Sequence, residues 1–405
     1  MKKVISLMLA TMLTLSVSAC GSKTAPAKTE TPTNTTFAKE GNFVIGTSQP
    51  LTGTNALVGD ATVKAIELAV KTFNEQGGIN GQEVKLVTYD DQASPEEGVK
   101  VATKLVQVDK VDVVLGSLIS SVVLAQGQLY NDAKIPVVGT GLSPSWMSKG
   151  WDYIFRSCVN NGFAMPALAL KMKDLGITSI SVFQGQDDAA KTSAVALTDA
   201  AKANGIEVLT TESYVEGDSD FSGQVAKIIN SKPEAIFIST YGPTQPMIVK
   251  QLRQFGYTGM IFNKETFAQD SIDLAGDAAN QVAFLFPYVT YGSDADIKNV
   301  KDPMMVDFLT KYFAEYGKMP NHDCAYRAWD AMMVLAEGAK VAGSNDGEAI
   351  KAALSTIKDF KVLGGTLDFT KGDREGMHGI EKGFVIIDGK YTDLDEWIAA
   401  GGIKK

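Results

Sequence analysis

The chain reads as an α/β protein of two Rossmann-like lobes, each built on a parallel sheet. Three observations predict this. Short β-branched runs alternate with stretches whose apolar residues recur at helical spacing, the sign of strands joined by crossover helices. The alternation completes one series by about residue 157 and then starts again. Helical sequence returns after residue 300, which suits lobes assembled from discontinuous segments.

Residues 43–49 form a first strand, closed by Pro50-Leu51-Thr52-Gly53, and 61–74 carry a helix that Gly77-Gly78 stops. Residues 81–90 give a second strand, and Pro95 opens a helix to about residue 108. The run 111–115 is the β-branched kind buried in parallel sheets, and Gly116 ends it. A helix follows over 120–133, then a strand over 135–138. A turn of Gly139-Thr140-Gly141 and Ser143-Pro144 precedes a short helix, and 153–157 make a further strand. Right-handed crossovers then cover both faces of the sheet with helices. The second series has strands at 180–183, 208–210, 235–239 and 260–262, with helices near 187–203, 221–230 and 244–255. Residues 282–289 are extended, 303–316 and 323–341 helical, and 365–369 and 383–387 short β pieces.

The chain begins with Lys2 and Lys3, an apolar run over 4–17, and Ser18-Ala19-Cys20. That run is too short to span a bilayer and reads as a processing signal. It resembles the bacterial lipoprotein signal, in which Cys20 is acylated; an ordinary secretory peptide is the alternative. Residues 21–40 are rich in Thr, Pro, Lys and Ala, a composition expected of a disordered tether. The folded body would therefore sit outside the cytoplasm, held at the membrane.

A net charge of −9 with both signs interspersed argues against a nucleic-acid partner. Beyond Cys20 there are two cysteines, Cys158 and Cys324, which either pair or stay as buried thiols. The two histidines, His322 and His378, belong to no triad or metal pattern, and no nucleophile elbow or phosphate loop occurs. Asp90-Asp91 and Asp187-Asp188 read as helix caps, and His322-Asp323-Cys324 as a helix start rather than a metal site. The expectation is a binding protein, not an enzyme, with no cofactor.

The stretch 111–145 is the centre of that reading. Two strand ends point the same way, and ligands of open α/β sheets collect beyond such ends, where a helix N-terminus offers unpaired N–H groups to an anion. Ser120 and Ser143 are placed to hold a carboxylate; as plain local structure, Ser120 would be an N-cap and Ser143 a turn residue.

The segment Asn74-Glu75-Gln76-Gly77-Gly78-Ile79-Asn80-Gly81, continuing through Tyr89-Asp90-Asp91, Pro95 and Leu105-Val106, resembles the leucine/isoleucine/valine-binding protein family of ABC importers. Leu51-Thr52-Gly53 with Gly59, Phe155-Arg156-Ser157, Leu252-Arg253 with Gly256, and Trp329-Asp330-Ala331 extend the likeness. The resemblance implies a type I periplasmic-binding fold: lobes of 41–157 with 286–365 and of 158–285 with 366–405, joined by three hinge crossings. It also implies a monomer that delivers an amino acid, branched-chain or aliphatic first, to permease and ATPase subunits. A protein presenting its ligand to a chemoreceptor or kinase, or a hydrolase of a small amide, is the alternative. By the same resemblance Ser120 binds the ligand carboxylate, the Gly141 carbonyl accepts from the α-ammonium, Ser143 touches both groups, and Glu265 pairs with the ammonium. Tyr241 is an aromatic on the far lobe and Val58 lines the side-chain pocket. Where many members carry tyrosine this chain has Ala189, which leaves that wall open.

Overall fold

The structure, a computed structural model, describes residues 41–402 except 216 and 381, and these fall in one compact unit, Phe37–Lys405. The expected leader with Cys20 and the tether 21–40 lie outside the described residues. Among the described residues no helix is long and apolar enough to cross a membrane.

Five strands make the first sheet: β1 (Phe43–Gln49), β2 (Val84–Asp90), β3 (Val113–Leu115), β4 (Val137–Gly139) and β5 (Ile154–Arg156). Their order is β2-β1-β3-β4-β5, every pair parallel, with Phe43 beside Val84 and Ile45 beside Val113. A second parallel series follows: β6 (Ser179–Gln184), β7 (Glu207–Ser213), β8 (Ala235–Ser239), β9 (Met260–Asn263) and β10 (Val282–Leu285). A small hairpin, β11 (Phe360–Val362) and β12 (Gly365–Leu367), comes next. Then β13 (Gly383–Ile387) and β14 (Lys390–Asp393) add antiparallel strands to the second sheet, whose order is β14-β13-β10-β9-β8-β6-β7.

Where sequence and structure differ, the cause is local. The expected helix 61–74 spans Ala56–Glu75, and the run 282–289 keeps its ladder only through Leu285, because the chain then leaves the sheet to cross back. The helix Asn161–Asp174 was not expected: it contains Pro166, and its apolar residues are not confined to one face. Asp187 does cap a helix, accepting from Ala190 N–H at 2.9 Å. Asp90 and Asp91 do not. They pin the loop between β2 and the next helix, Asp91 accepting from the Ser48 and Ser117 hydroxyls at 2.9 and 2.8 Å. Both thiols, Cys158 and Cys324, are free and buried.

The long helix Asp323–Ala342 ties the crossings together. Its Asp330 accepts from the Tyr288 hydroxyl and the Leu363 amide, each at 2.8 Å, and from the Gly364 amide at 2.9 Å. Tyr288 lies on one crossing and residues 363–364 on another, so one carboxyl staples both to the helix. Only glycine fits at 364, since a Cβ there would stand 2.3 Å from the Tyr288 hydroxyl oxygen.

Burial pushes the Asp330 carboxyl up to about 7, against the Gly364 and Leu363 amides and the Tyr288 hydroxyl, which lower it. The folded state therefore binds this proton more tightly than the unfolded chain does. The associated stability is complete below about pH 4 and is lost as pH rises through about 7. In urea titrations, the unfolding free energy of the wild type relative to Asp330→Asn should fall steadily across that window. A difference that does not change with pH would contradict the assignment.

Candidate functional site

The carboxyl ends of the two sheets face one cavity. Residues following β1 (Val58), β3 (Leu118, Ile119, Ser120) and β4 (Leu142) line it from one side. Those following β6 (Asp187, Ala189), β8 (Tyr241) and β9 (Lys264, Glu265) line it from the other. His322, Cys324 and Arg327, from the start of helix Asp323–Ala342, complete the wall. The space between these walls is small, about 380 Å³ with the open solvent at its mouth included.

The first sheet's side of the cavity is fixed by buried polar bonds. Gln49 donates to the Gly116 carbonyl at 3.0 Å and accepts from the Leu118 amide at 3.2 Å, which sets the turn that launches helix Ser120–Asp132. Ile119, not Ser120, is the N-cap of that helix, and no side chain caps it. The Ser120 hydroxyl instead accepts from the Ser143 amide at 3.2 Å. The Val122 and Val123 amides donate to the Ile119 carbonyl at 3.0 and 3.1 Å, which leaves the Ser120 and Ser121 amides without an acceptor in the helix, and Ser120 lines the cavity.

Of the seven expected ligand residues, Val58, Ser120, Ala189, Tyr241 and Glu265 line the cavity, while Gly141 and Ser143 lie behind it. The Gly141 carbonyl accepts from Arg156 Nη1 at 2.8 Å, and the Ser143 carbonyl from Arg156 Nη2 at 2.6 Å. The Ser143 hydroxyl accepts from the Ser145 amide at 3.1 Å and from Thr192 at 3.3 Å, so it caps the short helix Pro144–Lys149 and touches the opposite lobe. Glycine at 141 is needed for close approach, because a Cβ would lie 2.8 Å from Ser120 Oγ. These two positions thus shape the loop behind Ser120.

Sequence reasoning did not single out Lys264 or Arg327. Lys264 Nζ lies 3.0 Å from Glu265 Oε2 and 5.2 Å from the centre of the Tyr241 ring, with both charged side chains almost fully enclosed. Glu265 Oε1 has no hydrogen-bond partner among the described residues. Arg327 Nε forms an ion pair with Asp323 at 2.8 Å, and the guanidinium donates to the Thr140 carbonyl at 2.6 Å and to the Cys324 sulfur at 3.0 Å. Burial raises the Asp323 carboxyl, but Arg327 and then His322 outweigh it and hold the group below its ordinary value. For His322 burial works against a proton, Cys324 and Asp323 work for it, and the imidazole ends well above its ordinary value. A signal for Arg327 was present: an arginine four residues after an aspartate on an otherwise apolar helix is a buried pair in waiting.

His322, Asp323 and Cys324 bring potential metal-ligand atoms within 4.8 Å of one another. A guanidinium already occupies two of them, so a metal ion would face a fixed positive charge. His322 Nδ1 lies 3.0 Å from Asp323 Oδ1 and 3.3 Å from the Cys324 amide nitrogen, so the residue stands at the helix start, the place its sequence position suggested.

The lobes meet beside the cavity, where the Ser145 hydroxyl donates to Asp188 and the Thr192 hydroxyl to Ser143, both at 3.3 Å. Comparison with known proteins agrees with this architecture. A family model described as periplasmic binding protein matches residues 43–381. The chain belongs to that family. This periplasmic binding protein is 28% identical over 372 residues to the Leu/Ile/Val-binding protein homolog 1 of Brucella abortus (strain 2308), covering 88% of this chain and 94% of the relative. Among solved structures it is similar to the branched-chain amino acid transporter substrate binding protein LivJ of Streptococcus pneumoniae in complex with isoleucine. That match has a TM-score of 0.76 and 24% identity, covering 86% of this chain and 97% of the other. It is similar also to the leucine binding protein LivK of Thermotoga maritima, with a TM-score of 0.75, 25% identity and the same coverages. These relatives are binding proteins rather than enzymes, and the shared architecture is the type I periplasmic-binding fold.

Arg156 is the residue on which the loop behind Ser120 depends. It is fully buried, stacks on Trp146 at 4.0 Å and pairs with Glu375 at 3.1 Å. Arg156→Met would leave Glu375 as an uncompensated buried charge, and the expected loss is about 3–5 kcal/mol of unfolding free energy in urea. A loss under about 1 kcal/mol, the scale of an exposed pair, would show that the pair is not enclosed as described.

Proposed function

We propose that this protein is the extracytoplasmic solute-binding component of an ABC importer, held to the cell membrane through acylated Cys20. It acts as a monomer and passes its ligand to permease and ATPase subunits. Its ligand is a small amino acid, with branched-chain and other aliphatic ones first. The two lobes, 41–157 with 286–365 and 158–285 with 366–405, close on it by bending at the three crossings.

The observation that carries this reading is the opposition of Ser120 and Glu265 in one cavity between the sheet ends. A zwitterion leaving water needs both charges satisfied, since an unpaired buried charge costs several kcal/mol. The hydroxyl of Ser120 and the first amides of its helix suit the carboxylate, and the unpartnered Oε1 of Glu265 suits the ammonium. Beside them Val58, Leu118, Ile119, Val122 and Cys324 form a buried apolar cluster with Tyr241 packed on it, a surface suited to an aliphatic side chain. With one ligand end on each lobe, binding favours the closed arrangement through contacts that exist only there. The names of the relatives, which include leucine, isoleucine and valine, support the same class.

Titration calorimetry with leucine, isoleucine and valine tests the assignment. Glu265→Gln should weaken binding by about thirtyfold or more, the scale of a truncated buried charge pair, while circular dichroism stays that of the wild type. Unchanged affinity in that variant would remove the ammonium site.

A further inference from the structure

Lys264 is a buried cation on the wall of the cavity, and an amino acid gives it no role. Among the described residues its hydrogen bond goes to Glu265 Oε2, which leaves two of its three N–H groups for a ligand, with Nζ on the cavity wall 5.2 Å from the Tyr241 ring centre. Beside it, Glu265 Oε1 is a buried acceptor with no partner among the described residues. The pair therefore presents a donor and an acceptor side by side at the place assigned to the ligand's α-substituent. An ammonium group can donate to Glu265 but has no lone pair for Lys264, and it brings a second positive charge next to the first. A keto oxygen can accept from Lys264 but leaves Oε1 unsatisfied. A hydroxyl group does both, since it carries one donor and two lone pairs.

We infer that the same cleft takes a second class of ligand, the 2-hydroxy carboxylates, whose hydroxyl sits between Lys264 and Glu265 while the carboxylate meets Ser120 and its helix. The inference rests on the carboxylate half of the reading above and goes beyond its ammonium half. Charge agrees with it. The Lys264–Glu265 and Arg327–Asp323 pairs each cancel, so the hydroxy acid's single negative charge meets the helix N-terminus without a second cation crowding Lys264.

The test is calorimetry with leucine and 2-hydroxy-4-methylpentanoate, which share a side chain, on the wild-type protein and on Lys264→Met. In the wild type the hydroxy acid should bind within tenfold of leucine or more tightly. In Lys264→Met the hydroxy acid should lose at least tenfold more affinity than leucine does. Leucine binding with the hydroxy acid more than tenfold weaker in the wild type overturns the inference and leaves the amino-acid reading standing. The wild-type comparison needs no variant to fold. Equal weakening of both ligands by Lys264→Met, in a variant with wild-type circular dichroism, also overturns it. If neither compound binds the wild type, the carboxylate site itself fails and both readings fall.

Discussion

Arg156 has no contact with the cavity, yet the cavity's shape depends on it. Its side chain is fully enclosed, and its guanidinium donates to the carbonyls of Gly141 and Ser143, pairs with Glu375 and stacks on Trp146. The two carbonyls belong to the loop after β4, whose Ser143 amide donates to Ser120 Oγ. The backbone of Arg156 bonds residues 374 and 376 of the last crossing, at 3.0 and 2.8 Å. The buried guanidinium thus fixes the anion-side loop, while the backbone of the same residue ties 374–376 to the sheet. Burial pulls the Arg156 pKa down and the attraction of Glu375 pulls it up, which is the balance expected when a charge is enclosed with its partner.

A second buried guanidinium, Arg327, does the corresponding work from the helix side. It reaches the Thr140 carbonyl and Asp323, so the same four-residue loop is held from two directions. The Cys158 thiol donates to that carbonyl as well, and burial pushes it up to about 11. The ligand-facing chemistry is therefore carried by a frame held through buried hydrogen bonds and ion pairs, and Glu265 Oε1, a buried acceptor on the cavity wall with no hydrogen-bond partner among the described residues, marks where a ligand is expected.

Much of this was legible because parallel-sheet strands are short, apolar and bounded by turn residues. The strand 43–49 and the alternation around Ser120 could be read directly, and the sheet topology places their ends where open α/β folds gather ligands. The family likeness supplied Glu265, Tyr241 and Val58, which periodicity alone could not. What escaped was long-range. Helix Asn161–Asp174 hid behind an internal proline and apolar residues on several faces, and the purpose of Ser143 became visible only with Arg156 behind it. Lys264 stood beside Glu265 in the sequence, but adjacent residues usually diverge, and only the fold shows that both side chains meet in the cavity.

The central claim is that hydroxyl and helix amides on one lobe face an acidic group on the other across a single small cavity, and that the ligand spans them. A crystal structure of the protein saturated with leucine measures this directly. The account predicts the ligand's carboxylate on Ser120 and the first turn of helix Ser120–Asp132, its α-nitrogen on Glu265, and its side chain against Val58 and Leu118. A carboxylate turned toward Glu265, or ligand density outside the space between the sheet ends, would contradict it.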